Sequence, residues 1–151
     1  MLPPLGYALL DNASLFQFPS EKRQTGINFL GAEISIKKIL DGTSKVYMVG
    51  EKYVNADKYE PSGSDSTDDG GDNASCYQGY DWDVNRWATV AWPAIQDRPG
   101  FDAYQGFGSA HAGVWHAAFC DGSVHGIPYD IETAVHMQLA NRFDGNAVAI
   151  P

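Results

Sequence analysis

Three histidines and one aspartate within residues 111–125 are the groups of this chain best suited to chemistry: His111, His116, Asp121 and His125. An imidazole changes charge near neutral pH and can serve as an acid, a base or a metal ligand. His111 and Asp121 could form a catalytic acid–base pair. No nucleophile is recognisable beside them, so the sequence favours a His111 that hydrogen-bonds across a hairpin and fixes its turn.

The hairpin is predicted over residues 114–127, where two strand-like runs are joined by Asp121-Gly122. Asp-Gly is favoured in two-residue type I′ turns, in which both central residues have positive φ. Such a turn would place Ala118 opposite His125. His116 and His125 would then be diagonal neighbours on the face away from the core, close enough to share a metal ion. Because no third ligand is identifiable, two metal-free surface histidines are the favoured interpretation.

The elements that would position these residues indicate an α+β fold. Residues 45–54 are rich in β-branched and aromatic side chains and are predicted as a strand. With Asp130 as N-cap, apolar residues at every fourth position predict a helix over 131–142. Alternation in the first hairpin strand predicts three core residues: Trp115, Ala117 and Phe119. We expect one domain with an antiparallel sheet, long loops and a C-terminal helix.

The organisation along the chain suggests an arm and one globular domain. Residues 1–33 contain short apolar runs and are predicted as an N-terminal arm or edge strands, followed by a globular domain over 34–151. The apolar run at residues 1–10 contains two prolines and ends at Asp11. A membrane span requires about 18 apolar residues or more, so none is expected here.

Acidic side chains are concentrated in a loop rich in glycine and serine, over residues 62–72. Calcium is coordinated by several carboxylate and carbonyl oxygens, which makes it the one cofactor that the sequence suggests. The candidate ligands are Asp65, Asp68, Asp69 and Asp72. Their spacing lacks the EF-hand pattern, so a solvated acidic loop is the favoured interpretation.

Two further kinds of covalent site are considered. Cys76 and Cys120 could form a disulfide, and two buried free thiols are an equal alternative. Asn12 and Asn73 each begin an Asn-x-Ser triplet, which makes glycosylation a minority hypothesis because such triplets are frequent by chance.

Composition limits the classes of partner. The chain has 19 acidic and 10 basic residues, a net charge of −9, and no Lys/Arg cluster that could follow a phosphate backbone. Nucleic acid is therefore not expected as a partner. Five rings could form a platform that stacks on glycans, although core packing or a subunit interface is favoured. They are Tyr77, Tyr80, Trp82, Trp87 and Trp92.

One spacing resembles a known signature: His111, nine intervening residues, and then Asp121-Gly122. This chain is similar here to the bacterial prepilin-type processing-associated H-x9-D-G proteins. The likeness extends to an earlier pair of blocks at 39–44 and 49–52 and covers roughly residues 27–146. It implies a pilin-like globular domain, although the long hydrophobic N-terminal helix usual in that family is not recognisable in this sequence.

The resemblance implies an extracellular or cell-surface structural protein and not an enzyme. We expect a self-assembling subunit of a pilus-like filament, or an accessory of pilus-like machinery, whose partners are copies of itself in a helical polymer. An apolar arm that adds a strand to a neighbour's sheet would provide the contact. The alternative is a cell-surface module that binds carbohydrate or calcium.

Overall fold

The computed structural model describes residues 23–60, 62, 67–77, 79–146 and 148–151. These described residues form five strands and one α-helix: β1 (Tyr47–Gly50), β2 (Ile95–Gln96), β3 (Gly108–Ser109), β4 (Val114–Phe119), β5 (Val124–Pro128) and α1 (Thr133–Leu139). Short 3-10 helices lie at Ile36–Lys38, Thr43–Lys45 and Ala56–Lys58. No helix in these described ranges has the length and apolar character needed to cross a bilayer.

The strands form two sheets. β1, β4 and β5 make an antiparallel sheet in the order β1-β4-β5, and β2 pairs with β3 in parallel. With α1 at the C-terminal end and long loops between the strands, the chain is a small α+β domain. The predicted fold class is therefore confirmed.

The hairpin between β4 and β5 forms, but its turn differs from the predicted one. Gly122 alone has positive φ, at 88°, whereas Asp121 does not. The Asp121 carboxylate accepts hydrogen bonds from the backbone N–H of Ser123 at 2.9 Å and from its hydroxyl at 2.7 Å. This local bonding favours a three-residue connection with a left-handed glycine over a type I′ turn. The prediction of a two-residue turn was wrong.

The longer turn shifts the register of β5 by one residue. Ala118 lies opposite Val124, and Ala117 lies opposite His125. Because side chains alternate between the two faces of a sheet, a shift of one residue moves every β5 side chain to the other face. His125 therefore lies on the same face as the buried Ala117, where its ring packs edge-on against Phe119 at 5.2 Å.

Two elements are shorter than predicted. The helix runs from Thr133 with Glu132 as N-cap, while Asp130 lies in the turn before it. It ends at Leu139 because the chain then turns back, and the Arg142 N–H bonds to the Thr25 carbonyl. β1 likewise occupies only the middle of residues 45–54.

The segment over 87–92 is a loop that leads towards β2. Its only β-type pairing within the described residues is an isolated bridge between Thr89 and Trp92.

Aromatic rings fill the space between the three-stranded sheet and α1. Trp115 and Phe119 are fully buried, as predicted, and Tyr47 contacts both rings edge-on at centroid distances of 5.4 and 5.2 Å. Gly50 permits this packing, because a Cβ there would lie 2.6 Å from Trp115 Cζ3 and 2.8 Å from Phe107 Cδ1. Any larger residue would force these rings apart.

His136 is a polar residue within this core and is 1% exposed. Its Nδ1 lies 3.4 Å from the Tyr47 hydroxyl, and its ring packs edge-on against Trp115. Burial lowers the pKa of His136 to about 4. The imidazole is therefore neutral in the folded protein at pH 7.

This burial predicts an acid sensitivity. An unfolded histidine has a pKa of about 6.5, so between about pH 6.5 and pH 4 the unfolded chain binds a proton that the folded chain does not. His136 therefore stabilises the fold above about pH 6.5, and about 3 kcal/mol of stability is lost as the pH falls to 4. In urea unfolding across this range, His136→Leu should show a shallower pH dependence than the native chain. Equal slopes would contradict the account.

Candidate functional site

The outer face of the sheet carries a carboxylate that is fixed at the end of β1. The Glu51 N–H donates to the His116 carbonyl at 3.0 Å, and the Glu51 carbonyl accepts from the Gly108 N–H at 3.1 Å. The residue is thus bonded on one side to β4 and on the other to β3. Its side chain is about one-third exposed.

Two histidines are brought to this carboxylate by different elements. His116 lies on β4 between the buried Trp115 and Ala117, so alternation turns it towards solvent. His111 lies in the bend between β3 and β4. Its N–H donates to the Ser109 hydroxyl at 3.2 Å, and its carbonyl accepts from the Tyr129 hydroxyl at 3.1 Å.

The three side chains meet at short distances. His111 Nε2 lies 3.2 Å from Glu51 Oε1, and His116 Nδ1 lies 3.2 Å from Glu51 Oε2. The two imidazole rings are perpendicular, with centroids 5.1 Å apart. We call Glu51, His111 and His116 the His–Glu cluster.

The Glu51 carboxylate is stabilised in its charged form. Partial burial acts to raise its pKa, but hydrogen bonds from the backbone N–H and ring of His116 and attraction to both histidines outweigh burial and lower the pKa. The backbone contribution is direct, because the His116 N–H donates to Oε2 at 2.7 Å. The carboxylate is therefore an anion at neutral pH.

The cluster has the composition of a metal-binding group. Within the described ranges, it is the one set of three or more His, Cys, Asp or Glu side chains whose ligand atoms all lie within 4.8 Å of one another. Without a metal, the same arrangement is a carboxylate that hydrogen-bonds the His116 ring, lies within ion-pair distance of the His111 ring, and ties β1 to the segment before β4. Both uses depend on the same three side chains.

The two segments that supply this cluster lie within one family match. A family model described as protein of unknown function (DUF1559) matches residues 13–134, which is most of the chain. This chain belongs to the DUF1559 family. The family is associated with prepilin-like and pseudopilin-like proteins. No curated protein and no solved structure matches this sequence.

In this DUF1559 domain the two ends of the predicted signature do not form a pair. Asp121 lies in the turn at the far end of β4, and the six residues of that strand span about 17 Å. The His111 ring instead lies 3.2 Å from the Glu51 carboxylate. The prediction that His111 fixes the hairpin turn was therefore wrong, whereas Asp121 and Gly122 do form the turn.

The predicted pair of His116 and His125 is also wrong. The shifted register places His116 opposite Gly126 on the outer face and His125 on the core side. His125 Nε2 lies 3.0 Å from the Ser123 hydroxyl. His111 and Glu51 take the place beside His116 that was expected for His125.

Asp69, one of the four predicted calcium ligands, is almost fully buried at 1% exposure. Its Oδ2 accepts from the Asn55 N–H and its Oδ1 from the Gly71 N–H, each at 2.9 Å. Such bonds to buried backbone donors fix the path of the loop. Asp69 therefore has a structural role in this domain.

The other acidic candidates have separate partners. Asp68 accepts from the Ser62 N–H at 2.7 Å, and Asp72 pairs with Lys52. Asp65 lies outside the described residues. The described carboxylates do not converge on a common point, and calcium binding by the whole loop stays a prediction.

The two cysteines and the described asparagine differ in how far they are exposed to solvent. Both cysteines are free thiols, with Cys76 exposed and Cys120 half-buried, so the disulfide alternative is not formed. Burial and the nearby Asp121 charge raise the pKa of the Cys120 thiol. Asn73 is partly exposed, while Asn12 lies outside the described residues. Glycosylation at either asparagine stays a prediction.

The five rings predicted as a glycan platform have different surroundings. Trp82 packs against Tyr104 with centroids 5.1 Å apart. Tyr77 is almost fully exposed, and Trp87 and Trp92 are partly buried. Among the described residues, no ring contact joins two of the five predicted members. Glycan binding at this place stays a prediction.

The predicted arm over 1–33 is described only from residue 23. The Arg142 guanidinium donates to the Gly26 carbonyl at 2.6 Å, and the Arg142 N–H donates to Thr25 at 3.0 Å. Phe29 is buried, and the centroid of its ring lies 5.6 Å from Cζ of the same guanidinium. Residues 25–29 therefore dock on their own domain, and a boundary at 33 would cut these contacts.

Glu51 was missed by reasoning from sequence. A signal existed, because Glu51 lies in the predicted strand over 45–54 and in the 49–52 block of the family resemblance. Its distance of 60 residues or more from the histidines concealed the association. Only the pairing of β1 with β4 brings the two segments together.

Replacing the Glu51 carboxylate should weaken the contact between the end of β1 and the two histidines. Glu51→Gln keeps the size but removes the charge that favours both imidazole contacts, so we expect a loss of about 0.5–1.5 kcal/mol in unfolding free energy at pH 7. Because the folded pKa of Glu51 is depressed, this difference should disappear as the pH falls through the carboxyl range. Urea unfolding measures both effects, with the exposed Glu60→Gln as control. A loss that is equal in both variants would refute the contribution of Glu51.

Proposed function

We propose that this chain is an extracellular structural subunit of a pilus-like assembly, which associates with copies of itself through its three-stranded sheet, and that it is not an enzyme. Membership of a family associated with prepilin-like proteins supports the pilus-like setting of this proposal. The H-x9-D-G signature supports the finer assignment, because the turn and the His–Glu cluster give its three residues structural roles.

The observation that carries the proposal is an apolar row across the outer face of the sheet. Val49, Ala118 and Val124 are direct neighbours in the register of β1, β4 and β5. The two valines are 62% and 64% exposed. Solvent-facing sheet surfaces usually carry polar side chains, and it is contiguous exposed apolar patches, not single residues, that mark surfaces which contact another molecule.

The row is wider than strand alternation would give. A register irregularity between Tyr47 and Val49 interrupts the alternation of β1, and both Met48 and Val49 are exposed as a result. A bulge of this kind re-aims side chains at a sheet edge. The irregularity therefore adds apolar surface to the outer strand.

The edges of the sheet provide a means of assembly. β1 and β5 are the outer strands, and an outer strand presents N–H and C=O groups to an added strand. We propose that the apolar runs of the arm at residues 7–10 and 15–18 supply that strand to a neighbouring copy. A head-to-tail contact of this kind extends into a helical filament when its rotation does not close.

Charged substitutions in the apolar row test the proposal. Val49→Lys and Val124→Lys place an ammonium group in the contact and should each reduce self-association at least tenfold, with the fold unchanged. Sedimentation velocity and electron microscopy across a concentration series would measure assembly, and circular dichroism would check the fold. Val90→Lys is the matched control, because Val90 is 78% exposed but lies in the loop over 87–92.

A deletion tests the contribution of the arm separately from that of the sheet face. Removing residues 1–22 keeps the docked residues 25–29 and should abolish filament growth while the domain remains folded. If the full chain stays monomeric at all concentrations, the proposal is wrong. If Val90→Lys impairs assembly as strongly as the two sheet variants, the outer face is not the contact.

A further inference from the structure

We propose that the His–Glu cluster binds one divalent transition-metal ion of the zinc class. Three protein ligands would hold the ion: Glu51 by its carboxylate, His111 by Nε2 and His116 by Nδ1. This site differs from the acidic loop predicted for calcium and lies on the same outer face of the sheet as the apolar row.

The separations between the ligand atoms suit such an ion. Four-coordinate zinc has bonds of about 2.0–2.1 Å to nitrogen and oxygen, which places neighbouring ligands about 3.3 Å apart in a tetrahedron. His111 Nε2 lies 3.2 Å from Glu51 Oε1 and His116 Nδ1 lies 3.2 Å from Glu51 Oε2, and one ligand atom from each of the three side chains lies within 4.8 Å of the others. A metal could therefore bind between these side chains with little movement of the backbone.

The ligands are held in position before any ion arrives. The backbone of Glu51 is bonded to β4 and β3, and its Oε2 accepts from the His116 N–H. The backbone of His111 is bonded to Ser109 and Tyr129. Hydrogen bonds that orient a metal's ligands in this way increase its affinity, because less freedom is lost on binding.

Ligand chemistry selects the class of ion. Two imidazole nitrogens and one carboxylate suit zinc and its first-row neighbours, whereas calcium and magnesium prefer oxygen ligands alone. The side chains of His111 and His116 are 57% and 45% exposed, so an ion has access from solution. The net charge of −9 adds a general attraction for cations.

The test uses the untagged chain in a Cys76→Ser background, which removes the exposed thiol as a competing ligand. Calorimetric titration with Zn²⁺ should give one site per chain, and zinc should raise the melting temperature. Co²⁺ as a second probe should develop the visible absorption of a four- or five-coordinate site. His111→Ala and His116→Ala should each weaken zinc binding at least tenfold.

His125→Ala is the matched control, because it removes a histidine from the opposite face of the same hairpin. It should leave zinc affinity unchanged, and circular dichroism should show all three variants folded. The proposal is overturned if no stoichiometric zinc binding occurs. It is equally overturned if binding survives both cluster substitutions or falls as much with His125→Ala.

Discussion

The Glu51 carboxylate joins parts of the chain that are distant in sequence and meet at one corner of the sheet. It accepts the backbone N–H of His116 and contacts the rings of both His111 and His116, while the backbone of the same residue bonds to β3 and β4. Gly50, the residue before Glu51, lets the backbone pass close to the core, because only a residue without a Cβ fits against the Trp115 and Phe107 rings. The aromatic core on one face and the polar cluster on the other thus depend on the same short segment.

Sequence patterns predicted the kinds of element well because those patterns are local. Alternating apolar residues predicted the buried face of β4, and the Asp-Gly pair predicted a turn at the right place. The length of the turn was not predictable in this way, because it depends on whether Asp121 adopts positive φ or bonds to Ser123. That choice determined the face on which His125 lies. A one-residue error in a turn therefore became a wrong pairing of histidines.

The site was only half predictable for a related reason. His111 and His116 attract attention as residue types, and both belong to the cluster. Glu51 is an ordinary glutamate in sequence, and its role arises from the pairing of β1 with β4, which no short-range pattern encodes. The family resemblance did contain the relevant segments, since the 49–52 block and the histidine signature meet at this point in space. Two sequence blocks that seem unrelated can thus mark one site.

The outer face of the sheet combines an apolar row with a polar cluster, which distinguishes it from the packed face against α1. Zinc binding requires the His–Glu cluster to be one site with three converging ligands. Anomalous X-ray diffraction at the zinc absorption edge, from crystals grown with zinc, tests this directly. A strong peak should lie about 2 Å from the Glu51 carboxylate, His111 Nε2 and His116 Nδ1. Zinc peaks confined to other positions, with the cluster fully ordered and metal-free, would contradict it.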